Sequence, residues 1–361
     1  MNTFFNVIVL LSFLALFVYM MYKIMGNTTT SSSSTPSGSP AFDDTPSAAA
    51  NAEFQKVKFG QGTSLRNMSE TMEMVSLRNA VIKSSSNSAL TGNYVNLDMI
   101  RQVLSRGCRV LDFQVFLKDG AVVVGYSNAI YDPSFSSMTS LNCVSLAGVC
   151  TTILSNAFSD TSPNKDDPVF VQLHLKTNAT NYDTISEVLY AGLKGKLAWV
   201  KDTAKALEVT PDTRLSDVAG KVVLFINAPQ LSSYTPTQDM TNTTRTLADV
   251  TNTLADVTNM YVGTPTVPIY SEANLLQQMY SPSSTSPYLM RIVQPSLGFF
   301  GGVTNPNAPP LISNYSSQIV LEAFYIADEN LKTYESLFDA KNSAFLLLTD
   351  TIGAIKRSSG K

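Results

Sequence analysis

From about residue 70 onward, short apolar runs alternate with stretches whose apolar positions recur every three or four residues. The run VIKSSS is followed by NLDMIRQVLSRG, apolar at 97, 100, 103 and 104, and then by two β-type runs, RVLDFQVF and AVVVGYS. A helical stretch, SLNCVSLAGVCTTILSNAF, leads through a polar loop to the strand DPVFVQLHLKT. The alternation continues with DTISEVLYAGLKGKL, GKVVLFIN, PYLMRIVQP and SQIVLEAFYI, and SAFLLLT closes it. Strands alternating with helices over about 280 residues predict an α/β protein with a parallel sheet, and the size suits a TIM-type (β/α)8 barrel.

The N-terminus follows a different pattern. Val7 to Tyr22 carries no charge and, with Phe4 and Phe5, reaches about 20 residues, enough to span a bilayer. No basic region precedes it and no small-residue exit follows, so an uncleaved transmembrane helix is expected over 1–25, with Tyr19, Tyr22 and Lys23 at the interface. Residues 26–69 begin with the Ser/Thr/Pro tract NTTTSSSSTPSGSP, which holds too few large apolar side chains to offset its ordering entropy. A flexible stalk is expected there, and a globular body over 70–355.

One interruption falls inside the body. Thr246–Asn252 (TLADVTN) recurs at once as Thr253–Asn259, with Leu247, Val250, Leu254 and Val257 at helical spacing. Two heptads are too few for a coiled coil. The duplication predicts a tolerant loop or a short surface helix within a variable insertion, 229–262, which separates a first half (70–228) from a second (263–355).

Composition narrows the functional classes. Against 28 acidic residues the chain has 25 Lys and Arg, and no basic stripe for nucleic acid exists. Three cysteines match no zinc spacing; Cys143 and Cys150 read either as small buried apolar groups or as one bridge. Sequons at Asn27, Asn67, Asn178, Asn242 and Asn314 point to a lumenal or external body. The most restrictive count is a single histidine, His174, which excludes any mechanism needing two imidazoles. Strand alternation places it on one face with Phe170, Gln172 and Lys176, near the end of its strand where barrel sites lie. Asp112 and Gln114 share one face of theirs. Ser84, Ser85 and Ser86 invite a nucleophile role, but no base accompanies them.

The stretch VIKSSSNSALTGNYVNLDMIRQVLSRGCRVLDFQVF resembles the opening of the phosphoinositide-specific phospholipase C catalytic domain. Leu90-Thr91-Gly92 and Arg106-Gly107-Cys108-Arg109 stand at matching separation, and Asp167–Val171 and Leu215–Leu224 are similar to later strands of the first half. In the second half Tyr270-Ser271-Glu272, Arg291-Ile292, Ser313-Asn314-Tyr315 and Gln318 to Phe324 occur in the family's order.

The resemblance implies a phospholipase C-like phosphodiesterase barrel whose site is degraded. The family's two catalytic histidine positions fall on Ser86 and Val124. Its calcium-binding positions fall on Asn87, Asp112, Gln114 and His174, its phosphate-binding lysines near Phe225 and Asn227, and its substrate arginine on Arg291. A serine and a valine supply neither base nor acid at neutral pH. One carboxylate among those positions is a poor calcium cage, because calcium takes six to eight oxygens. No catalytic residue or metal is therefore assigned. Arg291 is expected beside the barrel mouth, meeting an anionic lipid head group or pairing with Asp112.

The expectation is a single-pass membrane protein, its barrel lumenal or external, that acts as a catalytically inactive pseudoenzyme in binding or assembly and needs no calcium. The alternatives are an active phosphatidylinositol or glycerophosphodiester phosphodiesterase using Asp112, His174 and Arg291, and a structural membrane or virion component.

Overall fold

The structure is a computed structural model that describes residues 44–60, 63–128, 138–193, 195–198, 209–229, 254–278, 290–297, 302–358 and 360. The expected membrane helix over 1–25 and the first copy of the heptad repeat lie outside the described residues. Among the described residues, no helix is long and apolar enough to cross a membrane.

The chain alternates strands and helices as the pattern predicts. Its strands are β1 (Ala80–Ile82), β2 (Ser84–Ser85), β3 (Val110–Lys118), β4 (Ala121–Gly125), β5 (Val144–Ser145), β6 (Val169–Leu175) and β7 (Val222–Asn227). The second half supplies β8 (Met260–Tyr261), β9 (Ile269–Ser271), β10 (Ile292–Gln294), β11 (Ser296–Leu297), β12 (Val303–Thr304), β13 (Ile319–Val320) and β14 (Phe345–Leu347). Ten helices are described: α1 (Ala48–Phe54), α2 (Glu70–Glu73), α3 (Leu97–Ser105), α4 (Leu146–Ala157), α5 (Tyr182–Leu193), α6 (Leu254–Val257), α7 (Glu272–Gln278), α8 (Ala308–Tyr315), α9 (Glu329–Asp339) and α10 (Leu348–Ser358).

Two mixed sheets meet at residues 80–85. One runs β14-β1-β13-β10-β9, and the other runs β5-β4-β3-β6-β7-β8 with β2 joined to β3. Lys83, between β1 and β2, passes the pairing across: its carbonyl accepts from Arg109 and Val110, while Ser85 bridges to Glu322. The pairings β9–β10–β13–β1 and β2–β3–β6–β7–β8 are all parallel; β4, β5 and β14 are antiparallel additions. Among the described residues, no ladder joins β8 to β9.

The register explains why the central strands read as almost continuously buried. Leu111, Phe113 and Val115 align with Val171, Leu173 and Leu175, an apolar face against the helices. The other face changes character along its length. Val110 aligns with Phe170, then Asp112 with Gln172 and Phe225, then Gln114 with His174 and Asn227. Polar groups therefore gather at the carboxyl ends of the strands, above the packed rings of Phe170 and Phe225, 5.3 Å apart.

Helix α3 buries Met99, Ile100, Val103 and Leu104, and Asn96 caps it by accepting from the Asp98 N–H. The Arg-Gly-Cys-Arg motif after α3 is a brace at the opposite end from the polar cluster. Arg106 forks onto Glu335, with Nε to Oε1 at 2.8 Å, and Lys83 Nζ stands 3.2 Å from the same carboxylate. Gly107 holds φ +79°, and a Cβ there would lie 2.4 Å from Leu65 Cδ1. Arg109 is fully buried and donates to Ala157 O, Ser162 and Asn164. Cys108, Cys143 and Cys150 are buried free thiols, so the bridge alternative is not realised.

Two expected boundaries and one expected surface placement are corrected. The stalk does not run to residue 69: from residue 44 the described chain lies on the body, with Ala50 fully buried in α1 and Leu65, Met68 and Met72 in the core. Polar composition misled there because that segment is held by carboxylate and backbone hydrogen bonds more than by apolar mass. The variable insertion ends earlier than 262, since Met260–Tyr261 pairs with Phe225–Ile226. The second repeat copy forms α6, and its Leu254 and Val257 are fully buried rather than on the surface.

Candidate functional site

At the carboxyl ends of β2, β3, β6 and β10 lies a cavity of about 40 Å³, lined by Ser86, Asn87, Asp112, Gln114, His174 and five further residues. Those five are Tyr126, Lys176, Gln294, Pro295 and, from the β11–β12 ribbon, Val303. The space fits two or three waters. Five of the residues singled out from the sequence line this one cavity.

Asn87 begins the arrangement. It takes the left-handed conformation, φ +42°, which asparagine tolerates better than most residues. This turns its N–H onto Asp112 Oδ2 at 3.0 Å. Asp112 Oδ1 lies 2.8 Å from His174 Nε2 and accepts from Gln172 Nε2 at 3.2 Å. The far ring nitrogen, Nδ1, faces Asn227 Nδ2 at 3.1 Å. A carboxylate can only accept, so Nε2 donates to Asp112, and Gln172 Nε2 also stands 2.9 Å from that ring nitrogen. Gln114 is held likewise: its Nε2 donates to Asn87 Oδ1 at 3.1 Å and its Oε1 accepts from Ser127 N at 3.0 Å. Ser86 Oγ accepts from Asn87 Nδ2 at 3.3 Å.

Two expected residues are not brought here. Val124 is buried opposite Val115, in the wall behind the cavity. Arg291 is corrected outright. It precedes β10, whose other end, Gln294, reaches the cavity; three residues of strand put about 10 Å between them. Its backbone N–H donates to Gln318 Oε1 and its Nη1 to Tyr315 O at 3.1 Å. Asp112 is not its partner, because that carboxylate is taken by Asn87, Gln172 and His174.

Calcium, which the resemblance implies, can be tested against this donor set. Both Asp112 oxygens, Gln114 Oε1 and Asn87 Oδ1 each accept a hydrogen bond from within the chain, and an imidazole N–H points into the same space. Six to eight free oxygens at about 2.3–2.6 Å are not on offer, so the residues do not fit calcium. Among the described residues, no group of three or more His, Cys, Asp or Glu stands close enough to hold a metal ion.

Residues 75–227 match the sequence model of the phosphatidylinositol-specific phospholipase C X domain. That stretch, under half of the chain, is similar to this family's X domain. The matched segment contains β1 to β7, and with them Ser86, Asn87, Asp112, Gln114 and His174. No curated protein matches the chain. Among solved structures, PLC21 of L. pealei is similar with a TM-score of 0.53 and 15% identity, covering 76% of this chain and 37% of its own. PLC21 of S. officinalis gives 0.52 and 16%, with coverage of 76% and 37%. At such identity the likeness shows the fold, a phospholipase C-like α/β architecture, and the chain spans little more than a third of those proteins' length.

Tyr126, Lys176 and Gln294 line the phospholipase C-like cavity without having been singled out as site residues, and Asn227 orients His174. Lys176 shares the His174 strand face by simple alternation and was legible as a neighbour. Gln294 comes from the other half of the chain, and no local pattern marks it.

Proposed function

We propose that this phospholipase C-like protein is a pseudoenzyme, tethered to a membrane by residues 1–25, whose domain serves binding or assembly at that membrane. The observation that carries this reading is the state of the two histidine positions. Ser86 and Val124 stand there, and the one imidazole in the chain has both nitrogens engaged by Asp112 and Asn227. Losing both proton-transfer groups removes roughly 10²–10⁴-fold each from phosphodiester cleavage. Support for a closed TIM-type barrel is the order of parallel strands from β9 round to β8, which leaves one junction to close. The crowded oxygens around Asp112 favour a site that works without calcium. Lys176 at the cavity suits an anionic lipid head group at its rim. A lumenal or external body accords with the sequons at Asn67, Asn178 and Asn314, all exposed.

One geometry favours the alternative, an active phosphodiesterase. Asp112 at 2.8 Å from His174 is the pairing that would make an imidazole a general base. The deciding experiment is turnover of phosphatidylinositol and glycerophosphodiesters by the full chain, with and without calcium. No turnover is expected; activity abolished in His174→Ala would replace the pseudoenzyme by the enzyme.

A further inference from the structure

The strongest unexplained feature is a carboxylate outside the cavity. Glu53, in α1, receives four hydrogen bonds from one short loop. Thr91 Oγ1, Asn93 N and Tyr94 N donate to Oε1 at 2.7, 2.8 and 3.0 Å, and Asn93 Nδ2 donates to Oε2 at 2.9 Å. Gly92 lets the loop close on it: φ is +138°, and a Cβ would lie 3.3 Å from Glu53 Oε1. Burial raises the Glu53 carboxyl, and the hydrogen bonds outweigh it, so the group stays below its ordinary value. A second acid on the same segment makes a similar hold. Asp44 accepts from Ser145 N at 2.6 Å and from Ser145 Oγ at 2.5 Å, at the start of α4.

The loop that Glu53 grips is joined to the cavity by two separate routes. Through one, Leu90 N–H donates to the carbonyl of Asn87 at 2.7 Å, and Asn87 lines the cavity. Through the other, Leu141 N–H donates to Asn93 O at 2.8 Å. Its neighbour Ser140 exchanges hydrogen bonds with the backbone of Tyr126, which also lines the cavity wall. The first route begins at Leu90, the chain neighbour of Thr91, and the second at Asn93, and Thr91 and Asn93 both donate to Glu53.

We propose that residues 44–54 are a strap that positions the cavity loops from outside, with Glu53 as the positioning residue that couples the N-terminal segment to Asn87 and Tyr126. A displacement of the strap is felt along both routes to the cavity. A charged acceptor is needed because four donors converge on it, and charge-assisted hydrogen bonds are about twice as strong as neutral ones. The coupling holds whether the site binds or cleaves, so its test is independent of the function proposed above.

The test is amide hydrogen exchange on the full chain with Glu53→Gln, which sets an amide donor against the Asn93 Nδ2 donor. Exchange at Asn87, Leu90, Ser140 and Leu141 is expected to rise together by about tenfold, while Leu173 in β6 keeps its protection. Asp44→Asn, which frees only the start of α4, is expected to leave Asn87 and Leu90 unchanged. A rise confined to Asn93 and Tyr94 would reduce Glu53 to a local loop cap and overturn the proposal. If Glu53→Gln loosens Leu173 as well, Asn93→Ala removes a single donor, and the same two-route pattern at smaller amplitude is then required.

Discussion

Asp112 and His174 sit diagonally across neighbouring parallel strands, with Oδ1 2.8 Å from Nε2, because Asp112 is registered with Gln172 and His174 with Gln114. The carboxylate therefore serves donors from three places: the His174 ring, Gln172 and the turned backbone of Asn87. Asp112→Ala would leave those buried donors without an acceptor. A loss of about 2–3 kcal/mol is expected in denaturant unfolding, whereas Asp112→Asn, which keeps one oxygen, should cost about half as much. Equal losses would mean that water replaces the carboxylate.

Calcium should not stabilise the protein. A ligand that binds only the folded state raises the melting temperature with its concentration. With the oxygens of Asn87, Asp112 and Gln114 already accepting hydrogen bonds, millimolar calcium or its chelation is expected to shift the transition by less than about 1 °C. A rise that grows with calcium concentration would show that the network opens to take the ion.

The pH dependence has a defined sign. Burial lifts the Asp167 carboxyl from 3.8 to about 6, against the Met68 N–H and the Arg109 charge, which pull it down. An acid whose folded value is raised favours the folded state while protonated, so its contribution is full below about 4 and is lost as pH climbs through about 6. Glu322 acts in the same direction: it is fully buried, neither carboxyl oxygen has a hydrogen-bond partner among the described residues, and burial raises it well above the ordinary range. Asp167→Asn keeps an acceptor for Met68, and it should flatten the fall in stability between pH 4 and 6 by about 2–3 kcal/mol at most. Melting curves across that range check it; an unchanged slope would locate the titration elsewhere.

Gly107 is irreplaceable on two counts, its φ of +79° and its contact with Leu65. Gly107→Ala combines left-handed strain with a clash against a buried side chain, and a cost of about 2–3 kcal/mol is expected in denaturant unfolding. Gly120, with a similar φ of +80° and no described residue within 4 Å of an added Cβ, isolates the strain alone. Gly120→Ala should cost only about 1 kcal/mol.

Tyr334 links α9 to the strand junction. Its hydroxyl accepts from Ser84 N at 2.6 Å and stands 3.3 Å from Ile82 O. Tyr334→Phe strands the Ser84 N–H in a fully buried layer, and a loss of about 1–2 kcal/mol with faster exchange at Ser84 is expected. No change in that exchange would show that the strand finds another acceptor.

Much of the site was legible because it lies on long strands. Alternation alone puts Asp112 with Gln114, and Gln172 with His174 and Lys176, and a parallel α/β fold places such faces toward one mouth. Arg291 shows the limit of that logic. Its position along a short strand could not be fixed from pattern, and a shift of three residues moves a side chain from the mouth to the far end. The strap failed for a different reason: Asp44 and Glu53 lie in a polar stretch, and nothing local announces that their partners stand about 40 to 100 positions away.

By itself, the sequence determined the alternation of strands and helices, the single imidazole, and the absence of histidine at Ser86 and Val124, since these depend only on residue type and period. Tertiary structure alone decided that Asp112, His174 and Asn227 share one chain of hydrogen bonds, that Arg291 lies elsewhere, and that Glu53 reaches the cavity loops. Those outcomes rest on register and on contacts between distant segments. A carboxylate's partners are set by what folding brings within 3 Å of it, and no local pattern carries that information.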